Sequence, residues 1–132
     1  MSAEHAVQAA VVAALRGSAE LIALVTGVFD GAPARAAFPY LVIGDGAAAD
    51  WSHKTGRGRE HRLALNAWDT GDSGAARLMA VMEAAGAAIE AMPRDLDGHR
   101  VASLVFLRSR IARTAAGPWA GLVEYRLRTL AV

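Results

Sequence analysis

Gly44, Asp45, Gly46, Ala47, Ala48 and Ala49 fit the GxGxxA spacing of a dinucleotide-phosphate turn, directly after an apolar run and with Asp69 a suitable distance downstream. Such a turn works only if a helix follows, because the helix N-terminus holds the pyrophosphate. Residues 50–60 offer no apolar face for a helix to pack with, so the run reads as a plain strand-to-loop turn. The four histidines, His5, His53, His61 and His99, form no HxH or HExxH pair. Only Asp50, His53, Glu60 and His61 are close enough in sequence to imagine a metal cluster, and solvated loop and strand positions are the simpler reading. There is no GxSxG elbow and no cysteine, and the serines have no evident histidine partner. Asp95 and Asp97 lie between Pro93 and Gly98 and read as turn residues rather than an acid–base pair. The expectation is a protein without enzymatic chemistry, cofactor or metal.

Arginine and tryptophan are what the chain offers instead, and they sit on recognisable elements. Ser2 and Glu4 open a helix that runs to about Arg16 and stops at Gly17, and Ser18 caps a second stretch over residues 19–25. Val28 and Phe29 suit a short strand, and residues 40–44 suit a buried one. Residues 47–58 lack periodicity and read as an exposed loop containing Trp51, His53, Lys54 and Arg57. Residues 59–69 alternate, with His61, Leu63, Leu65 and Ala67 on one side, and form a strand. Ser73 is placed to cap a long helix over residues 74–92, whose stripe of Leu78, Met82, Ala85, Ile89 and Met92 faces a core and which Pro93 ends. The expected fold class is α+β: one domain, residues 1–132, with a largely antiparallel sheet of about four strands. That sheet packs against the N-terminal helix and the long central helix.

Residues 99–132 then read as one long β-hairpin, its arms 99–114 and 119–132 joined through Ala116, Gly117 and Pro118. Alternation puts Val101, Ser103, Val105, Leu107, Ser109 and Ile111 with Val123, Tyr125 and Leu127 on a core face. Leu104, Phe106 and Leu130 begin the other face, which turns cationic at Arg108, Arg110, Arg126 and Arg128. A short turn sets Ile111 opposite Val123, Leu107 opposite Leu127, Arg110 opposite Glu124 and Arg108 opposite Arg126. Arms of this length span roughly 35 Å, so the distal half is expected to outrun the core.

A net charge of +1 is too small to imply a nucleic-acid partner by itself. The absence of cysteine excludes disulfides and thiolate metal sites, and no apolar run approaches membrane-spanning length. A soluble cytosolic protein without a membrane partner is expected. Aromatic and arginine residues dominate protein interfaces. Trp51, Arg57, Arg59, Arg108, Arg110, Trp119, Glu124, Arg126 and Arg128 are therefore the candidates for contact with another subunit or partner. The competing reading is a small nucleic-acid-binding module that uses the hairpin arginines, against which Glu124 among them argues.

The order of features carries a resemblance. An Ala/Leu helix leads to Val28, Phe29, Asp30, Gly31, Ala32 and Pro33, then to Phe38, Pro39, Tyr40, Leu41, Val42, Ile43 and Gly44. The strand from His61 through Leu65 and Asn66 to Trp68 follows, then the long helix, and finally Gly121, Leu122, Val123, Glu124, Tyr125 and Arg126. This chain resembles the tail-terminator, or tail-completion, family of long-tailed phages and gene transfer agents, and its Ala/Arg-rich style is similar to the α-proteobacterial agents. The resemblance implies a homo-oligomeric ring, usually a hexamer, that caps the head-proximal end of the tail tube. It implies as partners the tail tube protein and the head–tail connector or stopper, with DNA only in transit through the lumen. Assembly in the host cytoplasm and a place in the particle neck follow from it.

Overall fold

The computed structural model describes residues 1–72 and 74–132. Helix α1 (Ala3–Arg16) starts where Ser2 Oγ accepts the His5 N–H at 3.1 Å, with Glu4 in its first turn and Arg16 in its last. Both charges complement the helix dipole. Helix α2 (Ala19–Leu24) is capped in the same way by Ser18, whose hydroxyl accepts from Leu21 N–H. Strands β1 (Val28–Asp30), β2 (Tyr40–Ile43), β3 (Ala47–Asp50) and β4 (Gly58–Asp69) follow, then helix α3 (Ala76–Glu90). Strands β5 (Asp95–Leu96), β6 (His99–Arg113) and β7 (Trp119–Ala131) complete the chain. The cap expected at Ser73 lies outside the described residues, and α3 begins beside Ala75 without a side-chain cap.

All seven strands join one sheet in the order β1-β2-β4-β7-β6-β5, with β3 also paired to β4. The α+β class and the largely antiparallel sheet match expectation; among the described residues only β1 and β2 run parallel. The strand number does not. Two of the additional strands were hidden for a physical reason: β3 is exposed at every position and so shows no burial period, and β5 is only two residues long. The stretch expected to be a loop over residues 47–58 thus begins as a strand. Asp95 belongs to β5, and the turn proper is Asp97 and Gly98, the latter at φ +76°.

The core lies on one side of the sheet. Leu41, Ile43, Leu63, Leu65, Ala67, Val123, Tyr125 and Leu127 point toward α1, α2 and α3 and meet Val11, Leu15, Leu21, Leu78, Val81 and Ile89. Truncating a fully buried member such as Leu65 or Leu127 to alanine removes about 2–5 kcal/mol. Tyr125 reaches across this layer to donate to the Glu90 carboxylate at 2.9 Å; burial, with that acceptor, pushes its phenol well above the usual value. Gly58 is required where the chain turns from β3 into β4, because a Cβ there would strike the Trp51 carbonyl.

Three polar residues, Asp69, His61 and Thr129, are buried on the core side among the described residues. The Asp69 carboxylate, at the end of β4, is buried and takes both Nε and Nη2 of Arg77 in the first turn of α3, as well as Thr70 N–H. The Arg77 contact holds its carboxyl below the usual carboxylate range. Asp69→Ala is expected to lower stability by about 2 kcal/mol, read as a shift of the urea midpoint, since it frees α3 from the sheet; an unchanged midpoint contradicts this tether. His61 is buried in the same layer with Nε2 2.9 Å from Thr129 Oγ1. Burial lowers its pKa below 6.5, more than the nearby Glu4 raises it, and His99 and Arg59 lower it further. Protons therefore bind the unfolded chain first, and this contribution is full above 6.5 and lost as pH falls toward the folded value. The melting temperature is expected to fall between roughly pH 7 and 5.5, and His61→Gln to flatten that slope. An identical slope in the variant contradicts the assignment.

Candidate assembly surface

The hairpin arms end where expected, but their register differs. Arg113 pairs with Trp119, so residues 114–118 form the connection, with Gly117 at φ +112°. Ser109 rather than Ile111 faces Val123, Leu104 rather than Leu107 faces Leu127, Arg108 rather than Arg110 faces Glu124, and Val105 rather than Arg108 faces Arg126. Two irregularities, between Val101 and Ser103 and between Phe106 and Arg108, each insert one residue and reverse the alternation. Leu104 and Phe106 consequently lie on the helix side, and Val105 lies on the other. The hairpin does not outrun the core either. Strand β7 is central and pairs with β4 from Leu130↔Gly58 to Trp119↔Asp69, so its tip stops where β4 stops.

Opposite the helices is a bare sheet face. The even-numbered residues of β7 point to it: Leu122, Glu124, Arg126, Arg128 and Leu130, with Glu60 and Arg62 of β4 and Arg108 and Arg110 of β6 beside them. Arg128 Nε donates to Glu60 Oε1 at 2.9 Å, and Arg126 Nε lies 3.9 Å from the same oxygen. The Arg128 hydrogen bond, ahead of the charges around it, draws the Glu60 pKa down. Arg108 donates through Nε and Nη2 to Glu124 Oε1 at 3.1 and 2.8 Å. Arg62 and Arg110 have no ion pair, and Arg126 Nε is buried without a hydrogen-bond acceptor, among the described residues. Because the glutamates are interleaved with them, the arginines form a partly neutralised network rather than a uniform cationic patch.

The structure brings Trp51, Arg108, Arg110, Glu124, Arg126 and Arg128 to this one face. Trp51 folds back beneath the network, its ring centroid 5.1 Å from the Arg128 guanidinium carbon, and so anchors its own loop. The other candidates lie elsewhere. Arg59 points to the helix side between Glu4 and Asp50, at 3.5 and 3.4 Å. Arg57 lies just before β4, where its carbonyl accepts Ala131 N–H. Trp119 packs against the core beside Arg113, with its indole N–H buried and unpaired among the described residues.

Sequence reasoning missed a second surface. Strand β6 is an edge: its outer side pairs only with β5, at His99 and Arg100. Between it and α3 runs a groove with Phe106 and Met79 on its walls, 52% and 50% exposed. The one available signal was an aromatic, Phe106, on a face otherwise assigned to arginine. Among the described residues no group of three or more His, Cys, Asp or Glu is placed to hold a metal ion, and no helix is long and apolar enough to cross a membrane. The groups present can pair, stack and bridge.

Comparison with known proteins gives these surfaces a context. The family described as "Tail completion protein gp17" matches residues 9–130. A chain in the structure of the virion of a native gene transfer agent particle is 32% identical; the match covers 98% of each chain, with a TM-score of 0.81. The gp17 protein of bacteriophage SPP1 is 21% identical over 95% of this chain and 89% of its own, with a TM-score of 0.64, a likeness of fold. No curated protein sequence matches. The chain belongs to the tail completion protein gp17 family and is a structural, tail-completion protein of the kind that phage and gene-transfer-agent particles contain.

Proposed function

We propose that the protein assembles head to tail into a ring, a hexamer, that caps the head-proximal end of the tail tube. There it terminates tube growth and offers the joining surface for the head connector or stopper. The observation that carries this reading is the near-complete match to a chain of a gene-transfer-agent virion, in a protein whose sheet ends on an uncovered edge. A head-to-tail ring needs two different complementary surfaces on each copy. The edge groove is one exposed surface open to such a contact, and the arginine–glutamate face, on the opposite side of the sheet, is a further surface for the tube or the connector. Capping is steric: a ring seated on the last tube layer blocks the next, and no bond is made or broken. The cytoplasm of the producing cell is where such a ring meets its tube, and the particle neck is where it stays.

Light scattering with and without tail tube protein tests the reading: an oligomer, alone or on the tube, is expected, and a monomer in both settings contradicts it. Arg62 and Arg110, which have no ion pair on that face among the described residues, support a second reading, a nucleic-acid-binding module, which predicts duplex DNA binding displaced by moderate salt. Under the ring reading, Arg128→Glu leaves the subunit folded at a cost of about 1–3 kcal/mol, because the change lies outside the core and loses the Glu60 pair and the Trp51 contact, yet it abolishes capping. Normal capping by a folded Arg128→Glu protein removes this face from the assembly.

A further inference from the structure

The groove between α3 and β6 has the character of an acceptor site. It encloses about 730 Å³, floored by Val123, Tyr125 and Ile111 and walled by Met79 and Phe106. Gly86 keeps α3 close to this floor, since a Cβ there would come within 3.0 Å of the Tyr125 hydroxyl. Glu83 and Glu90 stand along its α3 side, and neither has a cationic partner among the described residues. It is an apolar slot with an acidic rim. The adjoining β6 edge carries two bulges and several arginines, devices that blunt an edge against simple strand addition. An occupant therefore inserts side chains into the slot rather than adding a strand.

The complementary element is at the other end of the same sheet. Residues 31–39 join β1 to β2 and present Phe38, 38% exposed, stacked on Tyr40 with centroids 5.7 Å apart. Arg35 on this loop is exposed and has no ion pair among the described residues. Thr26 Oγ1 donates to the Ala37 carbonyl and fixes the backbone beside Phe38, so presenting it costs little ordering. One end of the sheet thus offers an aromatic and a cation, and the other offers an apolar slot and two carboxylates.

We propose that the 31–39 loop of one copy docks in the α3–β6 groove of the next, with Phe38 between Met79 and Phe106 and Arg35 against Glu83 and Glu90. This rests on the ring reading and names its self-contact. Donor and acceptor lie at opposite ends of the strand order, so each copy uses both at once and the contact is head to tail. The other occupants of such a groove, a segment of tube protein or of connector, are outcomes of the test.

Three charge variants, Arg35→Glu, Glu83→Arg and the two combined, are assembled with and without tail tubes and weighed by light scattering. Each single variant is expected to assemble at least about tenfold more weakly, and the combination to recover assembly, because both residues are solvent-exposed and the reversed pair is again complementary. Cysteine is absent from the chain, so Phe38→Cys with Met79→Cys gives a second measure: a ladder of disulfide-linked oligomers on a non-reducing gel. Rings that form normally in both single variants, without a ladder, overturn the contact and leave the ring standing. Rings that form normally but no longer seat on tubes assign the groove to the tube protein and overturn the self-contact. A wild-type chain that is monomeric in both settings overturns ring and contact together.

Discussion

The ladder between β4 and β7 is the constraint on which the rest of the molecule depends. Strand β4 is twelve residues long and is matched along its whole length; each rung fixes two side chains on the same face, and successive rungs alternate toward the helices and away. On the inner side the rungs are Leu63–Tyr125, Leu65–Val123 and His61–Leu127, which close the core under α1 and α3. On the outer side the same ladder sets Glu60 across from Arg128 and Arg62 across from Arg126. A slip of one residue would bury the arginines and expose the leucines, so the core holds the charged face in register.

This explains what was legible in the chain and what was not. The alternation of β4 and β7 is unbroken, and both strands, with their buried and exposed faces, follow from it. The caps Ser2 and Ser18 carry local hydrogen-bond chemistry and mark α1 and α2. Strand β6 misled because bulges are not written in hydrophobic periodicity: one inserted residue near Leu107 moves Phe106 to the helix side, while the longer 114–118 connection sets the register that pairs Arg108 with Glu124. Strand β3 was illegible because four exposed residues leave no pattern to read; it is defined by its pairing with β4.

The candidate site was legible to the same degree. Six of the nine residues singled out converge on the bare face: Glu124, Arg126 and Arg128 through the β7 alternation, Arg108 and Arg110 through their rungs with Glu124 and Leu122, and Trp51 through its contact with Arg128. Arg59 and Trp119 fall on the helix side because each occupies an odd-numbered rung. The α3–β6 groove was invisible, since it exists only once the bulges have turned Phe106 toward α3. A strip of partly neutralised arginine on one side and an acid-rimmed slot at one end suit a protein that works by contact with its neighbours in a particle.

The role proposed for this chain is a ring that closes the head-proximal end of a tail tube. Imaging tails assembled with and without the protein, at a resolution that shows the neck, tests it most directly. A terminator ring gives a ring of density at one end of capped tails and bare, unjoined ends without the protein. Tails that are equally well terminated and joined without it, or density for it along the tube rather than at the end, rule out a terminator ring.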